Sequence, residues 1–457
     1  MKHTFRTLAL VIVFLLGGST VGTLFHGCVV RDSGSTLDVT LTEGTVLLPL
    51  ESIASGLIGE EETSGSYSFR PATPGLDQLQ VGSVVILAGK ALRRVSAIED
   101  RGGETVVSTQ PATLNEAIQD GTIDWKRQLD FGAGVADLDD VEVFWGDVAL
   151  AAQLSFDGET ISYSGQIRGF RVETTLTPQP GRLNIEMTIR KKGVAKRQGS
   201  NSTLLDLFLP VVPMGGDDVQ ESEEDVLALS ATGWIGGFGS EGQISYEDSG
   251  LQAFTLMNTG MQGDLELKFA AIGGASTLRT GVEVLNLPMK FQFPPVMIGG
   301  WLPVSMSIGV TPRITAAVTS PNASSRGAFE IEYSADQGFS FHSGIVEGAA
   351  QLHSAALDID ADSTISAGQV TTAFSFGLQF PRIEVRVLGQ LVVPFMTIDT
   401  YGESYYEPGI LSKRKACQRQ KIHNKSVAGV NLSFLGFEHT SETELWNREI
   451  AEGSECE

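Results

Sequence analysis

Residues 182–190 read Arg-Leu-Asn-Ile-Glu-Met-Thr-Ile-Arg, so Leu183, Ile185, Met187 and Ile189 fall on one side of the chain and polar or charged residues on the other. Alternation with this period predicts a strand that is dry on one face and wet on the other. The same grammar recurs in ETISYSGQI (159–167), DLELKFAAI (264–272), AFEIEYS (328–334), QVTTAFSFGLQF (369–380) and RIEVRVLGQLVV (382–393), and in VEVFWGDVAL (141–150). The separators are mostly Gly, Pro, Asp and Asn, as turn chemistry requires. The longest apolar tract after the N-terminus, 281–318, is cut by Pro288, Pro294, Pro295, Pro303 and Pro312 into extended pieces that no helix could carry.

Helix signals are few. Thr113 and Glu116 have the spacing of a capping box, which predicts a short helix there, and Glu442 to Ala451 is the second candidate. NLSFLGF (431–437) predicts one more strand. The fold class that follows is all-β, mainly antiparallel: a large β-sandwich-like or elongated multi-sheet body, with a small N-terminal module made of a β-hairpin and a short helix. Composition agrees, since 52 glycines and only 19% charged residues suit many turns and few surface helices.

Boundaries follow shifts in composition. Residues 1–28 form a leader or anchor, 29–70 a polar spacer, 71–128 the small β-rich module, 129–410 the main β body, and 411–457 a basic tail. The leader has Lys2 and Arg6, an apolar run from Leu8 to Leu16, and then Gly17, Gly18 and Ser19, which is the layout of an export signal. Its end, VGTLFHGC, resembles a bacterial lipoprotein box, in which the thiol of Cys28 takes the lipid; Phe25 and His26 depart from that motif. Lipidation at Cys28, ordinary cleavage nearby, and an uncleaved anchor over residues 8–25 are the three outcomes this leader allows.

Charge removes one class of partner. A formal charge of −23 opposes polyphosphate, so nucleic acid is not an expected partner. The exception is local: residues 413–425 carry Lys413, Arg414, Lys415, Arg419, Lys421 and Lys425 with no acid among them. These cations either pair with acids such as Glu442, Glu444 and Glu449 or dock on an anionic surface polymer or lipid headgroup. Three cysteines leave one pair in the body, Cys417 with Cys456, once Cys28 is set aside for lipid.

Catalytic signatures are absent from the sequence. There is no Gly-x-Ser-x-Gly elbow, P-loop, dinucleotide fingerprint or His-Glu-x-x-His pair. Asp358, Asp360 and Asp362 have the spacing of hard ligands in a calcium loop, although Ser363 and Gln369 replace the Gly and Glu that such a loop uses. The alternative is a polar strand edge. The expected function is therefore an exported, envelope-anchored, non-enzymatic surface protein with a structural or adhesive role. Its partners would be the membrane, reached through the N-terminus or a lipid, and surface polysaccharide or other envelope proteins. A membrane-embedded β-barrel or pore and a secreted carbohydrate-active enzyme are the alternatives.

Overall fold

The computed structural model describes residues 34–61, 64–132, 153–156, 160–193, 224–272, 282–285, 287, 289–318, 324–359, 364–366, 372–407 and 417–453. Strands are numbered in chain order, and they build three sheets. The largest has twelve strands and runs β1 (Thr36–Leu41), β8 (Ile118–Gln128), β14 (Gly239–Glu247), β15 (Gly250–Ile272), β13 (Glu224–Gly236), β12 (Arg182–Gly193), β11 (Phe170–Gln179), β10 (Ile161–Ile167), β9 (Gln153–Phe156). From Ala253 to Ile272 β15 also pairs with β19 (Ser324–His342), which in turn pairs with β20 (Ile345–Ile359) and β21 (Thr364–Ser366). The second sheet has seven strands in the order β16 (Val282–Val284), β18 (Leu302–Val318), β22 (Thr372–Val387), β23 (Gln390–Glu407), β24 (Cys417–Asn431), β25 (Thr440–Gly453), with β17 (Lys290–Ile298) also on β18. All pairings in these two sheets are antiparallel, as the alternating pattern predicts.

The third sheet belongs to the small module. Its order is β2 (Thr45–Leu48), β5 (Val84–Leu87), β6 (Ala91–Asp100), β7 (Thr105–Pro111), β4 (Ser66–Phe69), β3 (Leu57–Glu61), and β2 runs parallel to β5. Thr113 opens the helix α2 (Leu114–Ala117), and the Glu116 carboxylate accepts the Thr113 backbone N–H at 2.7 Å, so the capping box forms as its spacing predicts.

The two large sheets face each other across one apolar core. Strand alternation supplies it: Phe254, Leu256, Leu265, Leu267 and Phe269 of β15 point inward, as do Ile383 and Val385 of β22 and Met396 and Ile398 of β23. Close approach depends on rings lying over glycines on neighbouring strands. A Cβ on Gly242 would stand 2.1 Å from the Trp125 ring opposite it, and one on Gly263 would stand 2.4 Å from Tyr333. Phe269 over Gly327 and Phe395 over Gly429 repeat the motif. Between sheets, the Phe329 ring of β19 sits 2.1 Å from where a Gly402 Cβ on β23 would lie. A glycine in a strand interior marks such close contacts.

Three stretches differ from the sequence expectation. Residues 442–451 are not a helix but part of β25, because pairing with β24 gives the backbone a ladder that outweighs helix propensity. NLSFLGF holds a 3₁₀ turn at Ser433–Leu435, closed by Gly436 at φ 95°, rather than a strand. The stretch read as a spacer contributes β1 to the large sheet and β2, β3 and β4 to the module, together with α1 (Leu50–Gly56). The tract 141–150 lies outside the described residues.

Gly402→Ala is expected to cost ~1–3 kcal/mol, because the added methyl displaces a buried ring in a packed core. Gly59→Ala, whose Cβ meets only ordinary contacts at 3.5 Å on an exposed strand, should stay within about 0.5 kcal/mol of the parent. Denaturant midpoints of the two variants check the contrast.

Candidate functional site

Register converts the period of two into transverse rows on the outer face of the second sheet. One complete row is Arg313, Gly377, Tyr401, His423 and Glu449, one residue from each of five strands. Below it run Thr311, Gln379, Asp399, Lys425 and Asn447, and above it Ser375, Glu403, Lys421 and Ala451. The absence of a side chain at Gly377 lets the Arg313 guanidinium reach across β22. It lies 4.9 Å from the centre of the Tyr401 ring and donates to Asp399 Oδ2 at 2.8 Å.

Tyr401 stacks on His423 with centroids 4.4 Å apart and planes 11° from parallel. The imidazole is flanked on both sides by carboxylates, with Nε2 3.4 Å from Glu403 and Nδ1 3.4 Å from Glu449. Lys421 also contacts Glu449, Arg419 lies 3.5 Å from it, and Lys425 pairs with Glu444 at 2.8 Å. Behind this face, in the core, a polar seam ties the two sheets: Ser426 donates to Gln337 at 2.9 Å, and Asn424 donates to Thr400 at 3.0 Å while accepting from the Trp446 indole at 2.9 Å. Burial pushes the Asp399 carboxyl above its usual range, and the Arg313 cation pulls it partly back. Desolvation and the Glu403 charge raise the Tyr401 phenol in the same way.

Other chemistry lies elsewhere. On the outer face of the large sheet Asp264, Glu330 and Glu332 bring carboxylate oxygens within 4.8 Å of one another, and Asp358 stands directly opposite Glu330. Burial, then the Glu332 and Glu266 charges, raise the Asp264 carboxyl. A cleft of about 490 Å³ opens where the module meets the body, lined by Thr42, Gln80, Val81, Arg94, Glu116 and Ser249 among others. Arg94 is fixed there by Glu116 at 2.5 Å and by the Gly82 carbonyl at 3.0 Å.

The residues singled out in the sequence are scattered among these places. Asp358 is exposed near the end of β20, while Asp360 and Asp362 lie outside the described residues. Its register partner is Glu330 of β19, which no spacing rule connects to it. Of the basic run, Arg419, Lys421 and Lys425 stand on β24 facing Glu449 and Glu444, whereas Lys413, Arg414 and Lys415 fall outside the described residues. Cys417 is buried at the start of β24 and is a bonded cysteine rather than a free thiol; Cys28 and Cys456 lie outside the described residues. Arg313, Asp399, Tyr401 and Glu403 went unnoticed in the sequence. Only the alternation in DTYGE (399–403) hinted that three polar groups share a face.

No family model matches this chain, and no curated protein or solved structure matches it either.

The raised Asp399 carboxyl sets a pH dependence. Its proton is held more tightly folded than unfolded, so its contribution to stability is greatest in acid and is lost as pH rises from about 4 through the raised folded value. Arg313→Ala removes the offsetting cation and should lower stability at pH 7 by ~1–3 kcal/mol. Denaturant unfolding between pH 4 and 7 should show a steeper decline for this variant than for the parent, and Asp399→Asn in the same background should remove the excess. Parallel pH profiles for parent and variant would refute the coupling.

Proposed function

We propose that this chain is an exported, envelope-anchored, non-enzymatic protein with a structural or adhesive role, and that the outer face of its second sheet is the surface it uses. The observation that carries the reading is the row Arg313, Gly377, Tyr401, His423 and Glu449, whose polar groups hold one another in place before any partner arrives. Preorganisation of this kind lowers the ordering cost of binding. The face offers planar hydrogen-bonding groups of both signs, which suits surface polysaccharide or a neighbouring envelope protein better than a polyanion. Charged rows such as Glu266, Lys268, Glu330 and Glu332 on the outside of the large sheet suit contact with water.

The leader supplies the address. The export-type layout of residues 1–28 and the resemblance of its end to a lipoprotein box assign Cys28 to lipid and leave Cys456 as the partner of Cys417. The last observed pair of the β24–β25 ladder is Arg419 with Gly453, close in sequence to both cysteines. Closing a loop of about 40 residues contributes roughly 3–4 kcal/mol on the chain-entropy model.

Two measurements test this. Intact mass and the N-terminal peptide of protein from its own host should show a diacyl or triacyl Cys28, and a non-reducing peptide map should join Cys417 to Cys456. Retention of Met1 or a free, unmodified terminus would remove lipid anchoring. Separately, the protein should be retained by isolated envelope polysaccharide or envelope protein fractions, and Glu403→Ala with Lys425→Ala should weaken retention about tenfold, or ~1.4 kcal/mol. Retention of the parent protein by neither fraction would refute the binding role.

A further inference from the structure

Open sheet edges invite pairing, and proteins blunt them with short strands, charges, prolines or bulges. Nearly every edge among the described residues is treated this way. β3, β9 and β16 have five residues or fewer, β17 carries Pro294 and Pro295, and β25 carries Glu442, Glu444, Arg448, Glu449 and Glu452. The longest is β20, which spans 15 residues, Ile345–Ile359, reads IVEGAAQLHSAALDI, contains no Lys, Arg or Pro, and has Glu347 and Asp358 as its only acids. Its ladder partner is β19, and Ile345 at its start is 62% exposed.

The one irregularity in β20 is a bulge at His353, where Ser334 pairs with Ser354 and Ala335 with Leu352. The bulge resets the alternation, so that Gly348, Ala350 and Leu352 before it share the inner face with Ala355, Leu357 and Ile359 after it. This makes the strand complementary to itself. A two-fold axis between His353 and Ser354 sets Leu352 opposite Ala355, Ala350 opposite Leu357, and Gly348 opposite Ile359. Each large side chain then meets a small one. On the outer face Gln351 meets Ala356 and Ala349 meets Asp358, and no like charges oppose one another over residues 348–359. Both bulges fall at the axis, which leaves a regular ladder on either side.

We propose that β20 is a dimerisation edge, at which a second copy of this chain pairs antiparallel and joins two twelve-stranded sheets into one. The interface is isologous, as a two-fold demands.

Light-scattering mass of the full chain, purified in mild detergent, should give a dimer. Gln351 and Ala356 are both exposed, so they can be changed without touching the core. Gln351→Lys with Ala356→Lys places lysine opposite lysine twice and should raise the dimer dissociation constant about tenfold, with an unchanged far-UV circular dichroism spectrum. Gln351→Lys with Ala356→Glu places opposite charges across the same positions and should restore the dimer. The two altered side chains lie on either side of the bulge of one strand, so the rescue reports contact between copies. A monomeric parent protein overturns the proposal. So does a dimer indifferent to the paired lysines, which would be joined elsewhere, or a Lys/Glu variant that dissociates as readily as the Lys/Lys one.

Discussion

Phe329 holds the two large sheets at their distance. Its ring, on β19, fills the space above Gly402 of β23 and stacks beside Phe269 with centroids 5.8 Å apart. Any side chain at Gly402 would have to push the sheets apart or turn the ring, and a close-packed interior tolerates neither cheaply. Because the core is shared, the register of β19 on one sheet and of β23 on the other is set at this contact. The outward rows, which carry the polar chemistry, inherit their alignment from it.

Glycine does two different jobs in this arrangement. At Gly242, Gly263, Gly327 and Gly429 it yields space to a ring on the neighbouring strand, so that aromatic bulk packs without splaying the ladder. At Gly377 it lets Arg313 cross to Tyr401 and Asp399, which turns a packing device into an electrostatic one. The outcome is a guanidinium, a phenol ring and an imidazole in succession, bounded by Asp399, Glu403 and Glu449. A buried carboxylate such as Asp399 is tolerable beside a cation and costly without one.

Edges separate the two halves of the sandwich. On β25 the acids that protect an exposed edge also pair with Arg419, Lys421 and Lys425, so the basic run and the acidic edge neutralise one another. β20 carries only Glu347 and Asp358 as acids over 15 residues and is otherwise mostly small or apolar. Contrast between two neighbouring edges of one molecule is what gives the second its meaning.

Local pattern determined much of this protein. Alternation at 182–190, 264–272 and 382–393 dictated strands and their dry faces, because side-chain direction in a strand depends only on parity. The capping box at Thr113 and Glu116 was equally legible, since both partners lie within one turn. Where the deciding partner is distant, the sequence was silent or misleading. Glu442 to Ala451 has helix-favouring residues and became strand because β24 lay beside it. Asp358 reads as part of an aspartate repeat, yet its neighbour is Glu330, 28 positions away. Arg313, Tyr401, His423 and Glu449 span more than a hundred residues and share one row only because five strands pair in a particular register. Register is a property of the assembled core, so tertiary structure alone could bring those four side chains together.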